Sequence, residues 1–218
     1  MYKAIGVESF IYQKIEIGLP PIEMFEIKLS PDRNIKSPEL AILFLEEVNK
    51  LNSVDLKSIM SDQFFDIVYS DRYLKSPFSC LLLVQFIAAL KKKFNFTLGN
   101  LNVEVEDFYE ERNPIFIYQN YLTSFERNDE LKSFAKNNGI ENININIGKR
   151  PHYRYFEFKN KQLSIIIRPD AGIEHGWRCV SNKNYSNLTG NEIFEMWKYV
   201  NYPILYTVVI EQNQTISY

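Results

Sequence analysis

The sequence predicts an α/β protein, a mixed sheet flanked by helices, with an N-terminal β-rich extension. Two observations carry this. Between Phe64 and Val105 an apolar run, a polar loop, a long apolar helix and a second apolar run follow one another. That is the order of a βαβ unit, whose crossover helix makes its two strands parallel. Further on, two short runs flank Lys159-Asn160-Lys161 and read as an antiparallel hairpin. Parallel and antiparallel pairs in one chain make a mixed sheet.

In chain order, Ala4–Ile17 and Met24–Leu29 alternate and predict two strands around the turn Gly18-Leu19-Pro20-Pro21. Ser37-Pro38 opens a helix whose apolar face is Leu40, Ala41, Phe44, Val48 and Leu51. Phe64–Tyr69 is a buried strand, Ser76-Pro77 starts a helix to about Phe94, and Leu101–Val105 is the next strand. That helix is apolar nearly all round, so both its faces must be covered. Gln119–Asn138 is a more polar helix closed by Asn137-Asn138-Gly139, which suits a left-handed cap. Asn142–Ile147 alternates Asn with Ile and predicts a strand with one wet face. The hairpin strands are Arg154–Phe158 and Gln162–Ile167, and a further strand falls around Trp177–Val180. Thr189-x-x-Glu192 is a capping box opening a helix to about Tyr199, and Ile204–Ile210 is the last strand. We expect residues 1–60 to form an N-terminal β element and helix, and 61–218 the main α/β domain, together one compact unit.

Composition excludes several classes. With 218 residues, 45% hydrophobic and 24% charged, the chain is globular rather than disordered. Its 16 Phe and 14 Tyr fall largely in apolar runs and read as core. A net charge of −2 gives no global footprint for nucleic acid or anionic membrane. Lys91-Lys92-Lys93 follows an apolar helix and complements its negative C-terminus. Cys80 and Cys179 form no metal or disulfide pattern and fit a reducing compartment. The N-terminus does not read as a secretory signal, and the longest apolar run, Phe78 to Leu90, is too short to span a bilayer. The expectation is a cytoplasmic protein without a cofactor or a bound metal. No phosphate-binding glycine loop, GxGxxG, GxSxG or HExxH occurs.

Two polar clusters at strand ends are the candidate site, because ligands of open α/β sheets gather there. Ser70-Asp71-Arg72-Tyr73 lies between the buried strand and the apolar helix. Arg72 beside that helix N-terminus favours an anion, whereas an Asp/Arg pair bracing the loop is the plainer account. The second cluster is Arg150-Pro151-His152-Tyr153-Arg154, then Arg168-Pro169-Asp170-Ala171-Gly172, then His175-Gly176-Trp177-Arg178. It holds both histidines of the chain and a concentration of arginines whose planar forks suit phosphate or carboxylate. The candidate ligand-binding residues are therefore Asp71, Arg72, Tyr73, Arg150, Arg154, Arg168, Asp170 and Arg178. His152 and His175 are the candidate acid and base if the protein is an enzyme.

The strand ending in Asp71-Arg72-Tyr73-Leu74, the long helix after it, and the later His152-x-Arg154 and Asp170-x-Gly172 resemble a divergent phospholipase D-like domain. Such domains occur at the C-terminus of MIT-domain proteins and in microbial defence and DNA-processing proteins. The resemblance spans roughly Phe64 to Ile210 and implies a phosphate-binding fold. Catalytic members carry His-x-Lys followed by a spaced Asp, usually twice. Here Arg154 follows His152 and the second motif is absent, which implies recognition rather than catalysis.

The expected function is a phosphate-recognising, non-catalytic module in a nucleic-acid-handling assembly such as a microbial defence system. The alternatives are a phosphodiesterase or nuclease using His152, or a structural subunit that binds another protein. Expected partners are nucleic acid and a protein partner or second copy. Binding to lipid headgroups ranks below these, since the chain lacks a basic amphipathic helix.

Overall fold

A computed structural model describes residues 22–29, 55–107, 121, 123–149, 154–170, 172–173 and 204–212. The strand at Ala4–Ile17, the helix after Ser37-Pro38, the strand near Trp177 and the helix after Thr189 lie outside these residues.

The polar loop after the first buried strand ends where a helix is capped. Strand β2 (Phe64–Ser70) leads to α2 (Pro77–Phe94). Ser76 caps α2: its Oγ accepts from the Ser79 N–H at 3.1 Å, while Ser79 Oγ accepts from the Ser76 N–H at 3.3 Å. Proline at the first helical position costs no hydrogen bond. At the other end Lys91, Lys92 and Lys93 fill the last turn, where cations meet the negative pole of the helix. Asn95 then closes it in the left-handed region, at φ 56°.

Strand β3 (Thr97–Val105) runs parallel to β2, as a crossover helix requires. It begins four residues earlier than the apolar pattern suggests, because its first half carries a bulge. Phe65 faces Leu98 but Ile67 faces Leu101, so Gly99 and Asn100 together oppose Asp66. The Asp66 carboxylate accepts from the Asn100 N–H at 2.7 Å and from its side-chain amide at 3.0 Å. A Cβ on Gly99 would overlap the Phe64 ring and the same carboxylate oxygen. Gly99→Ala is therefore expected to lower stability by about 1–3 kcal/mol, the usual range for overpacking, read as a lower urea midpoint at unchanged slope.

Helix α3 (Ser124–Asn137) is preceded by Thr123, whose Oγ1 accepts from the Glu126 N–H at 3.2 Å. It is therefore shorter at its start than the polar run from Gln119. Its end matches the expected left-handed cap: Gly139 has φ 72°, and the Ile140 N–H reaches back to the Ala135 carbonyl at 2.9 Å. Short helix α1 (Leu56–Met60) precedes β2, with Asp55 Oδ1 accepting from the Ser58 N–H at 3.0 Å.

The remaining strands are β1 (Ile22–Leu29), β4 (Ile143–Ile147), β5 (Tyr155–Lys159), β6 (Leu163–Pro169) and β7 (Ile204–Gln212). All seven form one mixed sheet in the order β1-β7-β6-β5-β2-β3-β4. β2, β3 and β4 are mutually parallel, and the other neighbouring pairs are antiparallel. The expected hairpin is β5–β6, with Asn160 Oδ1 accepting from the Gln162 and Leu163 N–H groups at its turn. β1 is hydrogen-bonded to β7 along its whole length.

α2 covers one face of the sheet. Phe86 lies 5.1 Å from the ring of Phe156 on β5 and stacks 6.4 Å from Tyr206 on β7. Phe65, Phe96 and Phe158 form an edge-to-face trio at 5.7 to 6.5 Å. α1 and α3 also pack against α2, which accounts for a helix that is buried nearly all round. The second face of the sheet carries Asp66, Asn102 and Asn144, with the Asn144 amide donating to Asn102 Oδ1 at 3.1 Å. No described helix is long and apolar enough to cross a membrane.

Candidate functional site

The carboxyl ends of β2 and β3 meet the start of β5 and the end of β6. Continuing the β2–β5 register, in which Ser70 faces Tyr155, brings Asp71 alongside Arg154. The Arg154 Nε donates to Asp71 Oδ1 at 3.0 Å. Asp71 is only 2% exposed, so an ion pair of this kind needs its remaining lone pairs satisfied. Tyr69 Oη donates to Oδ2 at 2.9 Å, and the Tyr73 N–H donates to Oδ1 at 2.8 Å. Burial pushes the Asp71 carboxyl up from its ordinary value, while Arg154 and the hydrogen bonds from Tyr73 and Tyr69 pull against that rise. Burial also holds the Tyr69 phenol well above its usual range, with the Asp71 charge adding to the effect. Tyr69 therefore stays a donor.

A second pair lies beside the first. Arg72 Nη2 is 3.2 Å from Glu106 Oε2, and that carboxylate is itself buried. Between the two arginines stands Tyr73, 40% exposed. The guanidinium carbons of Arg72 and Arg154 each lie 5.0 Å from its ring centroid, within cation–π range. Those two carbons are thus no more than about 10 Å apart. The arrangement is one half-exposed ring, two guanidinium groups, and a buried carboxylate holding each.

The two sequence clusters meet here. Arg154 and the Tyr73 N–H both donate to Asp71, Arg72 and Arg154 both lie on the Tyr73 ring, and Gly172 passes close by: a Cβ on it would lie 3.8 Å from Arg154 Nε. Arg168 is exposed on β6, on the face away from α2, between the buried Ile167 and Pro169. Asp170 follows at the exposed end of that strand. Arg150, His152, His175 and Arg178 lie outside the described residues, so no acid–base pair is placed. Among the described residues no three His, Cys, Asp or Glu side chains gather as a metal site.

Arg127 was not anticipated. It belongs to α3, has no exposure, and donates from Nη1 to the Glu106 carbonyl at 2.9 Å. Its Nε donates to Asn128 Oδ1 at 3.2 Å. Burial lowers its pKa, with the charge of Asp107 among the effects opposing that. Ser124 Oγ also donates to Asp107, so the first turn of α3 is tied to the loop that leaves β3. Arg127 stands four and eight residues before the buried Leu131 and Ala135. A charge in register with an apolar stripe was the signal available in the sequence.

The family model for the C-terminal domain of the DEAD/DEAH box helicase YjiV matches residues 25–196. That span covers most of the 218 residues and all strands but β7, except for the first residues of β1. The chain belongs to the YjiV C-terminal domain family. No curated protein matches the sequence.

Membership of the YjiV family overturns the phospholipase D-like resemblance. The motifs behind it span only three residues each: an Asp-x-Tyr before a helix, a His-x-Arg and an Asp-x-Gly. The α/β class stands without them, because it follows from the strands and their order. Asp71 and Tyr73 also have a structural account that needs no phospholipase, as parts of the Arg154 anchor. The microbial-defence setting and the lipid-headgroup option rested on that resemblance and lose their basis with it. A YjiV C-terminal domain is a helicase-associated domain, which agrees with a place in nucleic-acid handling.

Proposed function

We propose that this YjiV-family domain is a non-catalytic module that holds the phosphate backbone of nucleic acid for a helicase assembly. The observation that carries the reading is the pair of guanidiniums on Tyr73, each fixed by a buried carboxylate. A carboxylate contact sets the plane of a guanidinium, and a planar fork of five N–H donors is suited to phosphate. Because Asp71 and Glu106 balance the two arginines, the site is not a strong positive field. It is a preorganised pair of forks beside an aromatic ring, which suits a backbone flanked by a base. Arg168 is exposed on β6, beside the strand that Arg154 precedes, and is a further candidate phosphate contact; Arg150 and Arg178 belong to the same arginine-rich stretch of sequence.

The helicase description of the family supports the setting. The sequence has no phosphate-binding glycine loop.

The test is fluorescence anisotropy with labelled single- and double-stranded DNA and RNA over a salt series. Wild type is expected to bind at low salt with an affinity that falls linearly in log salt. Arg72→Ala/Arg168→Ala is expected to bind more weakly, with a slope on single strands smaller by about 0.7 for each phosphate no longer neutralised. Absence of binding by folded wild type at low salt would remove direct nucleic-acid contact and leave a protein partner as the leading reading.

A further inference from the structure

A fully buried arginine is costly to desolvate, and an apolar side chain of similar volume fills such a space at no loss of stability in many proteins. Arg127 therefore calls for an account beyond packing. Its stripe partners Leu131 and Ala135 are also fully buried, so an apolar residue would continue that face of α3. Instead Nη1 is spent on the main-chain carbonyl of Glu106 at 2.9 Å. Glu106 is the residue whose carboxylate lies 3.2 Å from Arg72, and Arg72 rests on the exposed Tyr73 ring. The carbonyl and carboxylate of one residue thus join a helix side chain to the site. Ser124 and Asp107 tie the same loop at its next position.

We propose that Arg127 is a positioning residue, fixing Glu106 and through it the orientation of Arg72. This rests on the phosphate-binding reading for its functional meaning, but not for its structural content. Arg127 has no exposure and reaches no ligand. Any effect it has on binding passes through the Glu106 loop.

The experiment compares Arg127→Met with wild type by two observables, the second of them within a double-mutant cycle with Arg72→Ala. The first is the exchange with water of the arginine side-chain Nε–H groups, followed by NMR without ligand. In Arg127→Met the Arg72 signal is expected to exchange faster, and the Arg154 signal, held by Asp71, to stay as in wild type. The second is the salt dependence of single-stranded DNA binding. Arg127→Met is expected to lower the slope by about 0.7, as Arg72→Ala does, and the double variant to lower it no further. A smaller folded fraction alone would reduce the bound signal without changing the slope.

Unchanged Arg72 exchange in folded Arg127→Met overturns the relay, whatever binding does. Additive effects in the cycle also overturn it. Faster Arg72 exchange in a protein that binds no DNA sustains the relay and sinks the phosphate reading instead. Arg127→Gln, which keeps polarity but stops short of the Glu106 carbonyl, is the second variant should the methionine fail to fold. The same results are expected of it.

Discussion

Asp71→Ala is expected to destabilise the protein by about 3–5 kcal/mol, the range for breaking a buried ion pair by removing one partner. The reason is what the carboxylate leaves behind. Arg154 Nε, Tyr69 Oη and the Tyr73 N–H all donate to it, and the surroundings are almost closed to water. Truncation strands those donors and leaves the Arg154 charge without its counter-ion. Equilibrium urea unfolding followed by circular dichroism measures the loss. The double variant Asp71→Asn/Arg154→Gln replaces the charged pair by two amides and is expected to recover part of it. Recovery would separate the cost of a stranded charge from the cost of the missing hydrogen bonds. A destabilisation below about 1 kcal/mol for Asp71→Ala would mean that water reaches the pair and that it braces nothing.

Phe156→Ala is the second large effect, expected at about 3–5 kcal/mol from forfeited transfer free energy and the cavity left behind. Phe156 is fully buried, 4.5 Å from the Tyr69 ring and 5.1 Å from Phe86. It fills the joint between β2, β5 and α2. Its removal is expected to act twice, since Tyr69 is both its packing neighbour and a donor to Asp71. Phe156→Leu, which keeps most of the volume, should cost far less, and the two variants together test whether the joint is tightly packed. Thermal or urea unfolding of the pair gives the comparison. Equal costs for both would show that ring shape, rather than volume, holds Tyr69 in place.

Elements bounded by local chemistry were legible in the sequence. Ser76-Pro77 announces α2, the apolar run before Ser70 announces β2, and Lys159-Asn160-Lys161 separates β5 from β6. Misplaced edges have local causes too. The early start of β3 was hidden by Gly99 and Asn100, which look like a loop but form a bulge on Asp66. The start of α3 was announced by Thr123-x-x-Glu126, a capping-box spacing that the polar run from Gln119 obscured. The site is another matter. Each cluster can be picked out by its polar residues at a strand end, yet Asp71 and Arg154 are far apart in sequence and meet only because β5 lies beside β2. No local pattern encodes that neighbour. The pairing of Arg72 with Glu106 likewise needs the parallel register of β2 and β3. The family resemblance went astray for the same reason: short motifs carry little information about which strands adjoin.

The strand order has a consequence for how the chain folds. Among the described residues one helix lies between β2 and β3 and one between β3 and β4, so this half of the sheet closes over modest stretches of chain. The other half depends on distant partners, most of all β1, whose Ile22 faces Glu211. Contacts so remote are slow to form, because the entropy of closing the loop must be met before any pairing rewards it. During synthesis Asp71 emerges long before Arg154, and the early half holds a carboxylate with no cation to receive it. The ion pair closes only as the second half docks onto β2. Its formation therefore follows closure of the early half and precedes the more remote β1–β7 pairing, and a fluorophore near Tyr73 should change signal between those two refolding phases.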